Sequence, residues 1–506
     1  MEVHTTADTL GRTGRFDEVR QFLQSADYSD GFICRRFHLE HPDDFELDAQ
    51  KRSPLPGFES SADVLVTLFL AGETLPLETA LQWLGSGTIA LLEGMGLLVS
   101  EPAGRRCYAP VALYPVEELY ITSDRWSNPD GLQLTGSEDT VYPAFIPNTR
   151  LFLRHLPACP GSKFLDLCAG TGIAALLAAR RGAGQAWSGD ISGRSSRFAE
   201  FNRRLNAIDN VQVVTSDLYQ GFEGSRFDVI CAHPPYVPTL QPKWIFFSGG
   251  QDGEEITRRI IEGLPEHLTD GGVFLCLTMG GDRVGRPFEE RIREWLGKRE
   301  SEFDIAFLAR REIDPPEFAL RANRETIRPR EESALWSRLF KSLGVVSLAY
   351  GFICIQRRSG AHRTFTVRRR PQPQALRSPW EWLLHWETAA CSDDLVRLIL
   401  ESRLHASQQT EFEVLHKLGQ GAWNPSSYKL RTEYPFRMEC DAEPWMAHMI
   451  SLCDGKTTGR EVLRILVQNE VLPEATPENE FARAGASLVS GGFVEVEGFR
   501  PPRATR

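Results

Sequence analysis

Between Lys163 and Arg357, short apolar runs alternate with longer stretches whose apolar positions recur every three or four residues. "KFLDLCA", "QAWSGDI", "VQVVTSD", "RFDVICA" and "GGVFLCLTM" read as strands. "GIAALLAARRG", "SGRSSRFAEFNRRLNAI" and "GEEITRRIIEGLPEHL" read as helices between them, and "VVSLAYGFICIQRR" closes the region as one or two strands. Strands alternating with helices predict a parallel, doubly wound sheet. Its ligand is expected at the carboxyl ends of the strands, near the point where strand order reverses.

The flanks carry a different pattern. From Ala62, "ADVLVTLFLAGETLPLETALQWLGSGTIALLEGMGLLVSEPAGRRCYAP" reads as helix, turn, short helix, turn, helix, then a hairpin around Pro102-Ala103-Gly104. That succession suggests a winged-helix-like module. Such modules bind DNA, dock partners or dimerise. No Lys/Arg cluster marks its third helix, "SGTIALLEGMG", so direct DNA readout is disfavoured. After "RRRPQPQ" comes a helix-rich region in which Trp380, Trp382 and Trp386 stand near helical spacing, as core residues do. The tail reads helix, helix, helix, strand, with Gly491-Gly492-Phe493 ending the last helix and opening a second wing. The expected fold is therefore α/β: a Rossmann-like doubly wound sheet flanked by winged-helix-like N-terminal and helix-rich C-terminal domains. The boundaries fall at 1–125, 126–359 and 360–506.

Composition narrows the class. A chain of 506 residues is too long for one core. With 42% hydrophobic and 25% charged residues it reads as soluble, and no apolar run reaches membrane-spanning length. "MEVHTTADTLGRTGRFDEVR" has neither an apolar h-region nor a basic amphipathic face, so no targeting signal is expected. Ten cysteines without a CxxC pair fit a reducing cytoplasm rather than disulfides or structural zinc. His38 and His41 flank Glu40 without a third ligand at useful spacing, so no metal is expected. A net charge of -11 argues against a protein that coats nucleic acid. One basic segment stands against that balance: no acid occurs from Ser333 to Trp380, while Arg357, Arg358, Arg363, Arg368, Arg369, Arg370 and Arg377 crowd together. It reads either as a solvated strand edge and linker or as a surface for an acidic partner.

The chemistry concentrates at the predicted strand ends. Asp166 closes one strand, and Gly170 and Gly172 make a turn that opens onto a helix, whose free N–H groups favour anions. The turn lacks a P-loop lysine and the third glycine of a dinucleotide fingerprint. Asp190 ends the next strand, where a carboxylate can accept both hydroxyls of a ribose. Asp217 ends the third and can accept from an adenine amino group. The fourth ends in "CAHPPYVP", with prolines that fix the backbone and remove two N–H donors just past the strand.

The order "DLCAGTG...GDIS...SDLY...FDVICAHPPYVP" resembles class I S-adenosylmethionine-dependent methyltransferases. It is most similar to the branch of the release-factor glutamine methyltransferases and the "methyltransferase small domain". "YPAFIPNTRLFLRHL" resembles that branch's pre-motif segment, and "SGGQDGEEITRRIIEGLPEHLTDGGVFL" its G-G-x-D-G loop, helix and strand. The resemblance spans about 140 to 357. It implies S-adenosyl-L-methionine as cofactor, with Asp166, Gly170, Thr171 and Gly172 at the methionine end, Asp190 on the ribose, Ile191 against the adenine, and Asp217 and Leu218 at its amino edge. It further implies that His233, Pro234, Pro235 and Tyr236 form the catalytic motif, with His233 also beside the cofactor.

His233 departs from that family's usual Asn, Asp or Ser. A neutral imidazole accepts through one nitrogen only, and its reference pKa of about 6.5 would let it take a proton near working pH. The expected acceptor is a nitrogen on a planar group in protein or RNA. Two other readings stay open: nitrogen or oxygen methylation of a small metabolite, and a non-catalytic scaffold that binds the cofactor. Expected partners are the methyl acceptor and, through the winged-helix modules, a second copy of the chain; membranes are not expected.

Overall fold

Why the first strand is a strand is plain from its burial. In β1 (Lys163–Leu167) Phe164, Leu165 and Leu167 are fully buried, as befits a central parallel strand covered on both faces. In this computed structural model it is flanked by β2 (Gln185–Asp190), β3 (Val211–Thr215) and β4 (Phe227–Ala232), all parallel, in the order β4-β1-β2-β3. The chain moves outward from β1 to β3 and then returns to the other side of β1. The strand order thus reverses between β1 and β4, where a ligand crevice belongs. The structure describes residues 9–49, 51–101, 105–126, 137–241, 244–322, 328–359, 363–373 and 377–501. The chain falls into two compact units, residues 1–268 and 269–506.

In the first unit, α1 (Ile173–Arg180) connects β1 to β2. Its first six residues, Ile173 to Ala178, are all buried, and the alanines let it pack closely. Next, α2 (Gly193–Leu205) is started by Ser192, whose Oγ accepts from the N–H groups of Arg194 (3.1 Å) and Ser195 (3.2 Å). It buries Phe198, Phe201 and Leu205, three and four residues apart. The amphipathic α3 (Glu255–His267) follows β4. Upstream, helical residues 61–70, a strand at Leu75–Pro76, helices Leu77–Leu84 and Ser86–Gly94, and strands Val99–Ser100 and Arg106–Tyr108 follow one another. Their three strands form a sheet in which Arg106–Tyr108 is central. The expected hairpin tip at residues 102–104 lies outside the described residues. A hairpin at Ala112–Val116 and Leu119–Ser123, not expected from the sequence, lies between this module and the parallel strands in the chain.

The second unit departs from the all-parallel expectation. Seven of its strands, β5 (Leu268–Arg283), β6 (Phe303–Ile313), β7 (Val345–Arg357), β8 (Thr366–Pro371), β9 (Glu411–Gly419), β10 (Ala422–Thr432) and β11 (Phe436–Asp441), run in the order β5-β7-β6-β8-β11-β10-β9; Arg403–Ala406, Asp454–Thr458 and Val494–Val496 form a separate three-stranded sheet. Only β6 and β8 pair in parallel; β7 is antiparallel to both β5 and β6. The C-terminal region is less purely helical than expected. It holds helices at Arg377–Ala390, Leu395–Glu401, Pro444–Leu452, Gly459–Gln468 and Glu478–Ser490, but also the long β9–β10 hairpin. The outer half of that hairpin is exposed on both faces, and there the alternation of apolar and polar residues breaks at Val414-Leu415. The three tryptophans are core, as expected: Trp380, Trp382 and Trp386 are buried. Gly491 ends the last helix and leads into a strand at Val494–Val496.

The basic segment is neutralised within its own unit. Arg357 pairs with Asp270 (3.1 Å) and Glu302 (2.8 Å), Arg369 with Glu387 (2.9 Å) and Arg370 with Glu312 (2.7 Å). Arg368 meets Asp282 and Glu289, and both carboxylates are largely buried. Burial opposes the Arg368 charge, yet the bonds to Asp282 and Glu289 more than offset it and hold its pKa above the ordinary value. Arg357, Arg368 and Arg369 thus form a largely buried ion-pair network, while Arg363 and Arg370 stay exposed, as a solvated edge would have them. No helix among the described residues is long and apolar enough to cross a membrane, and none of them forms a candidate metal cluster.

Candidate active site at the strand ends

The four strand ends named from the sequence are tied together by backbone and side-chain bonds. Asp190, at the end of β2, accepts from the N–H of Gly170 (2.8 Å) through one carboxylate oxygen and from that of Ser192 (2.9 Å) through the other. One acid thereby links the glycine turn after β1 to the start of α2. The carbonyl of Asp190 accepts from Ser216 N–H (2.7 Å), which draws in the end of β3. Burial raises the Asp190 pKa, and the bonds from Ser192 and Gly170 oppose that rise. The Ser195 side chain opposes it as well, so three donors face this carboxylate.

Gly170 and Gly172 adopt φ of +54° and +76°, a region costly for residues with a Cβ. A Cβ on Gly172 would lie 2.9 Å from that of Ala199, so α1 and α2 can close on each other only over a glycine. Around Gly170 nothing lies within 4 Å of the Cβ position, which leaves open space over the turn. Thr171, between them, is buried, and its carbonyl accepts from Asn202 Nδ2 (3.0 Å). Asn202 also binds Thr122 N–H (2.7 Å) through its Oδ1, so α2 fastens the turn to the Leu119–Ser123 strand. The sequence alone did not single out Asn202. Its signal is a fully buried amide within the apolar stripe of α2, visible only once that stripe is placed.

Asp166 is 2% exposed at the base of the crevice. Burial pushes its pKa up to about 7; contacts with the Cys231 thiol and the Ala175 N–H oppose the shift, and the nearby Asp190 charge adds to it. Cys231 Sγ lies 3.6 Å from Asp166 Oδ1, which bridges β4 to β1. Ile191, just past β2, is 54% exposed, so its side chain is open to a ligand. Asp217 is held bidentately by Arg259 of α3 through Nη2 (2.9 and 2.8 Å). Leu218 follows at φ +51°. Arg259 is a second residue that the sequence did not reveal, because its partner lies 42 positions away.

His233 is the first residue past β4. Its ring lies between two aromatics, Phe152 (centroids 5.4 Å apart, 38°) and Tyr236 (5.8 Å, 18°). Phe152 belongs to the helix Pro147–His155, in the stretch noted upstream of the glycine turn. From the same helix, Asn148 Nδ2 donates to the Tyr236 hydroxyl (3.4 Å). Among the described residues neither ring nitrogen of His233 has a hydrogen-bond partner. Burial pushes the imidazole pKa down to about 4. This corrects the expectation of a group titrating near working pH: the ring is neutral there, because its apolar surroundings disfavour the cation. Past Pro234 and Pro235, the backbone at Tyr236 is clamped by the "SGGQDG" loop. Val237 N–H donates to Phe247 O (3.2 Å), and Gly249 N–H donates to Val237 O (3.0 Å). A Cβ on Gly253, at φ +78°, would lie 2.5 Å from Tyr236 O, so this loop needs glycine to reach the motif.

Residues 145–280 match the methyltransferase small domain. A provisionally named protein N5-glutamine methyltransferase from Methanocaldococcus jannaschii is 33% identical over 154 residues, 29% of this chain and 76% of that protein. The chain belongs to the methyltransferase small-domain family. This methyltransferase domain depends on S-adenosylmethionine, its cofactor. Two more relatives are the ribosomal protein uL3 glutamine methyltransferase of Bradyrhizobium diazoefficiens and the release factor glutamine methyltransferase of Thermodesulfovibrio yellowstonii. The first is 32% identical over 166 residues, 30% of this chain and 52% of that protein. The second is 34% identical over 133 residues, 24% and 48%. The chain thus spans about half the length of these last two. The methyltransferase's strand ends fit the cofactor: open space over Gly170, the Asp190 carboxylate bonded to that turn, and an uncovered Ile191.

Proposed function

We propose that this methyltransferase modifies a nitrogen on a planar group of a protein, with a side-chain carboxamide as the favoured acceptor. The observation that carries the proposal is His233, neutral, without a hydrogen-bond partner among the described residues, and set between Phe152 and Tyr236 at the mouth of β4. A neutral ring nitrogen accepts one N–H and so can hold a weakly acidic amide nitrogen in place. Tyr236, only part-buried, offers a flat apolar surface to a planar group, and buried Phe152 backs the His233 ring. The two prolines leave the adjoining carbonyls free of competing N–H groups. The names of the three relatives, which act on glutamine, support the carboxamide.

For the cofactor, we assign Asp190 to the ribose, Ile191 to the adenine face, Asp217 and Leu218 to the adenine edge, and Asp166, Gly170, Thr171 and Gly172 to the methionine end; His233 adjoins it. When bound, S-adenosylmethionine supplies a methyl group already activated by its sulfonium. The protein's own work is then alignment and exclusion of water. Asp217 keeps its orientation through Arg259, and Thr171 through Asn202.

A protein acceptor is favoured over RNA because Arg357, Arg368 and Arg369, three of the segment's cations, are spent on buried carboxylate pairs within the chain. In the same vein, we read residues 1–125 and 360–506 as winged-helix-bearing modules that bring the acceptor, around a catalytic region at 126–359, in a cytoplasmic protein. The test is methyl-labelled cofactor supplied with the separated protein, RNA and small-molecule fractions of a cell extract. Label in protein is expected; label confined to RNA or to small molecules overturns the reading.

A further inference from the structure

Strand β9 is the last of its sheet: β10 lies along one edge, and no described strand lies along the other. The hairpin closes through Gln420 and Gly421, both at positive φ (+49° and +81°), a two-residue turn suited to the twist of paired strands. Its outer half stands in solvent on both faces. Leu415 is 51% exposed, Leu418 65% and, across from it on β10, Trp423 68%. An open edge that carries apolar side chains invites another strand, and soluble proteins usually block such edges with proline or a short strand. No proline interrupts β9, which is nine residues long.

Read backwards, β9 complements itself. When "EFEVLHKLG" is laid antiparallel to a second copy with Leu415 opposite Leu415, Glu413 faces Lys417, Phe412 faces Leu418 and Val414 faces His416. Each pairing occurs twice about a two-fold axis. Opposite charges and apolar pairs directly across antiparallel strands stabilise them, and like charges do the reverse. Glu413 already bonds Arg431 of β10 (2.9 Å) yet stays about half exposed, and Lys417 is exposed, so both are available across the edge. On the same faces, the Phe412 ring stacks on Tyr428 (5.9 Å), which adds apolar area beside the edge.

We propose that two copies of the chain form a two-fold dimer by antiparallel pairing of β9 with β9, in the register that sets Glu413 against Lys417 of the second copy. The interface is isologous, so it closes at two chains instead of growing into a fibre.

The full chain and two charge reversals, E413K and K417E, test this by sedimentation over a concentration series reaching about 100 µM. The wild type should sediment as a reversible dimer. Each single variant sets like charges opposite twice and should weaken dimerisation by at least about tenfold. An equimolar mixture of the two variants should recover the dimer. The introduced lysine of one then faces the introduced glutamate of the other, and the native Lys417 of the first faces the native Glu413 of the second. Recovery on mixing also shows that both variants are folded. A wild type monomeric throughout the series overturns the proposal. So does a dimer that neither variant weakens, or single variants that mixing fails to rescue.

Discussion

Asp166→Asn should make the protein more stable while damaging its site, and the pH dependence of that gain is specific. In the folded chain, burial raises the Asp166 carboxyl from 3.8 to about 7. An acid whose folded pKa lies above its unfolded value costs stability as it ionises. Below pH 4 both states hold the proton and the cost is nil. Between pH 4 and 7 the unfolded state has released its proton and the folded state has not, so stability falls by about 1.4 kcal/mol per pH unit. Above pH 7 the cost levels off at roughly 4 kcal/mol. Asparagine is nearly isosteric and never ionises. It can turn its oxygen to the Ala175 N–H and its nitrogen toward Cys231 Sγ, replacing the contacts that now favour the carboxylate. Urea unfolding of the two proteins at pH 4, 6 and 8 should therefore show little difference at pH 4, an advantage of about 2 to 3 kcal/mol for the variant at pH 6, and the full gain at pH 8. Cofactor affinity, measured by calorimetry, should fall in the same variant. An equal difference at pH 4 and pH 8, or none at pH 8, would refute the claim that a buried, costly carboxylate is kept here for binding.

Three further outcomes follow from the geometry. Asp190→Ala removes charge-assisted bonds worth about 1.5–3 kcal/mol each and should weaken S-adenosylmethionine binding by at least about tenfold; calorimetry with unchanged affinity would sink the ribose assignment. With the His233 pKa lowered to about 4, turnover should show no loss attributable to this ring between pH 8 and about pH 5.5. In the same assay His233→Asn, which keeps an acceptor, should stay within about tenfold of wild type, and His233→Ala should lose about a hundredfold. Arg368→Ala strands the buried carboxylates of Asp282 and Glu289 and should cost about 3–5 kcal/mol in chemical denaturation, with no change in the salt dependence of substrate binding.

Much of the site could be read from the sequence because its residues sit at strand ends, where local pattern and chemistry coincide. Asp166, Asp190, Asp217 and His233 each follow or close an apolar run, and the parallel strands bring them to one crevice. What stayed hidden depends on long-range partners. Asn202 meets Thr122 across 80 positions, and Arg259 meets Asp217 across 42, spacings that no local pattern encodes. The protonation of His233 is hidden in the sequence for a related reason: its reference pKa is set by water, and the Phe152 ring that helps to exclude water comes from a helix 81 residues upstream. The Arg357–Arg377 segment reads as basic because its acids lie on other elements: Asp270, Asp282, Glu289, Glu302 and Glu312 before it, Glu387 after it. The β9–β10 hairpin is hard to read from sequence because its outer half is exposed on both faces and has no apolar face to alternate.

The most direct test of the central claim is the chemical form of the transferred methyl group. Protein labelled by the enzyme with methyl-labelled S-adenosylmethionine is hydrolysed in hot acid, and the released label is identified by mass spectrometry. A methylated carboxamide breaks at its amide bond, so the account predicts that the label leaves as methylamine, and that His233→Asn protein gives the same product. Label recovered as methanol would mean an oxygen acceptor. Label retained on an amino acid that survives hydrolysis would mean an amine or ring nitrogen. Either result would contradict the assignment of His233 and Tyr236 to a planar amide.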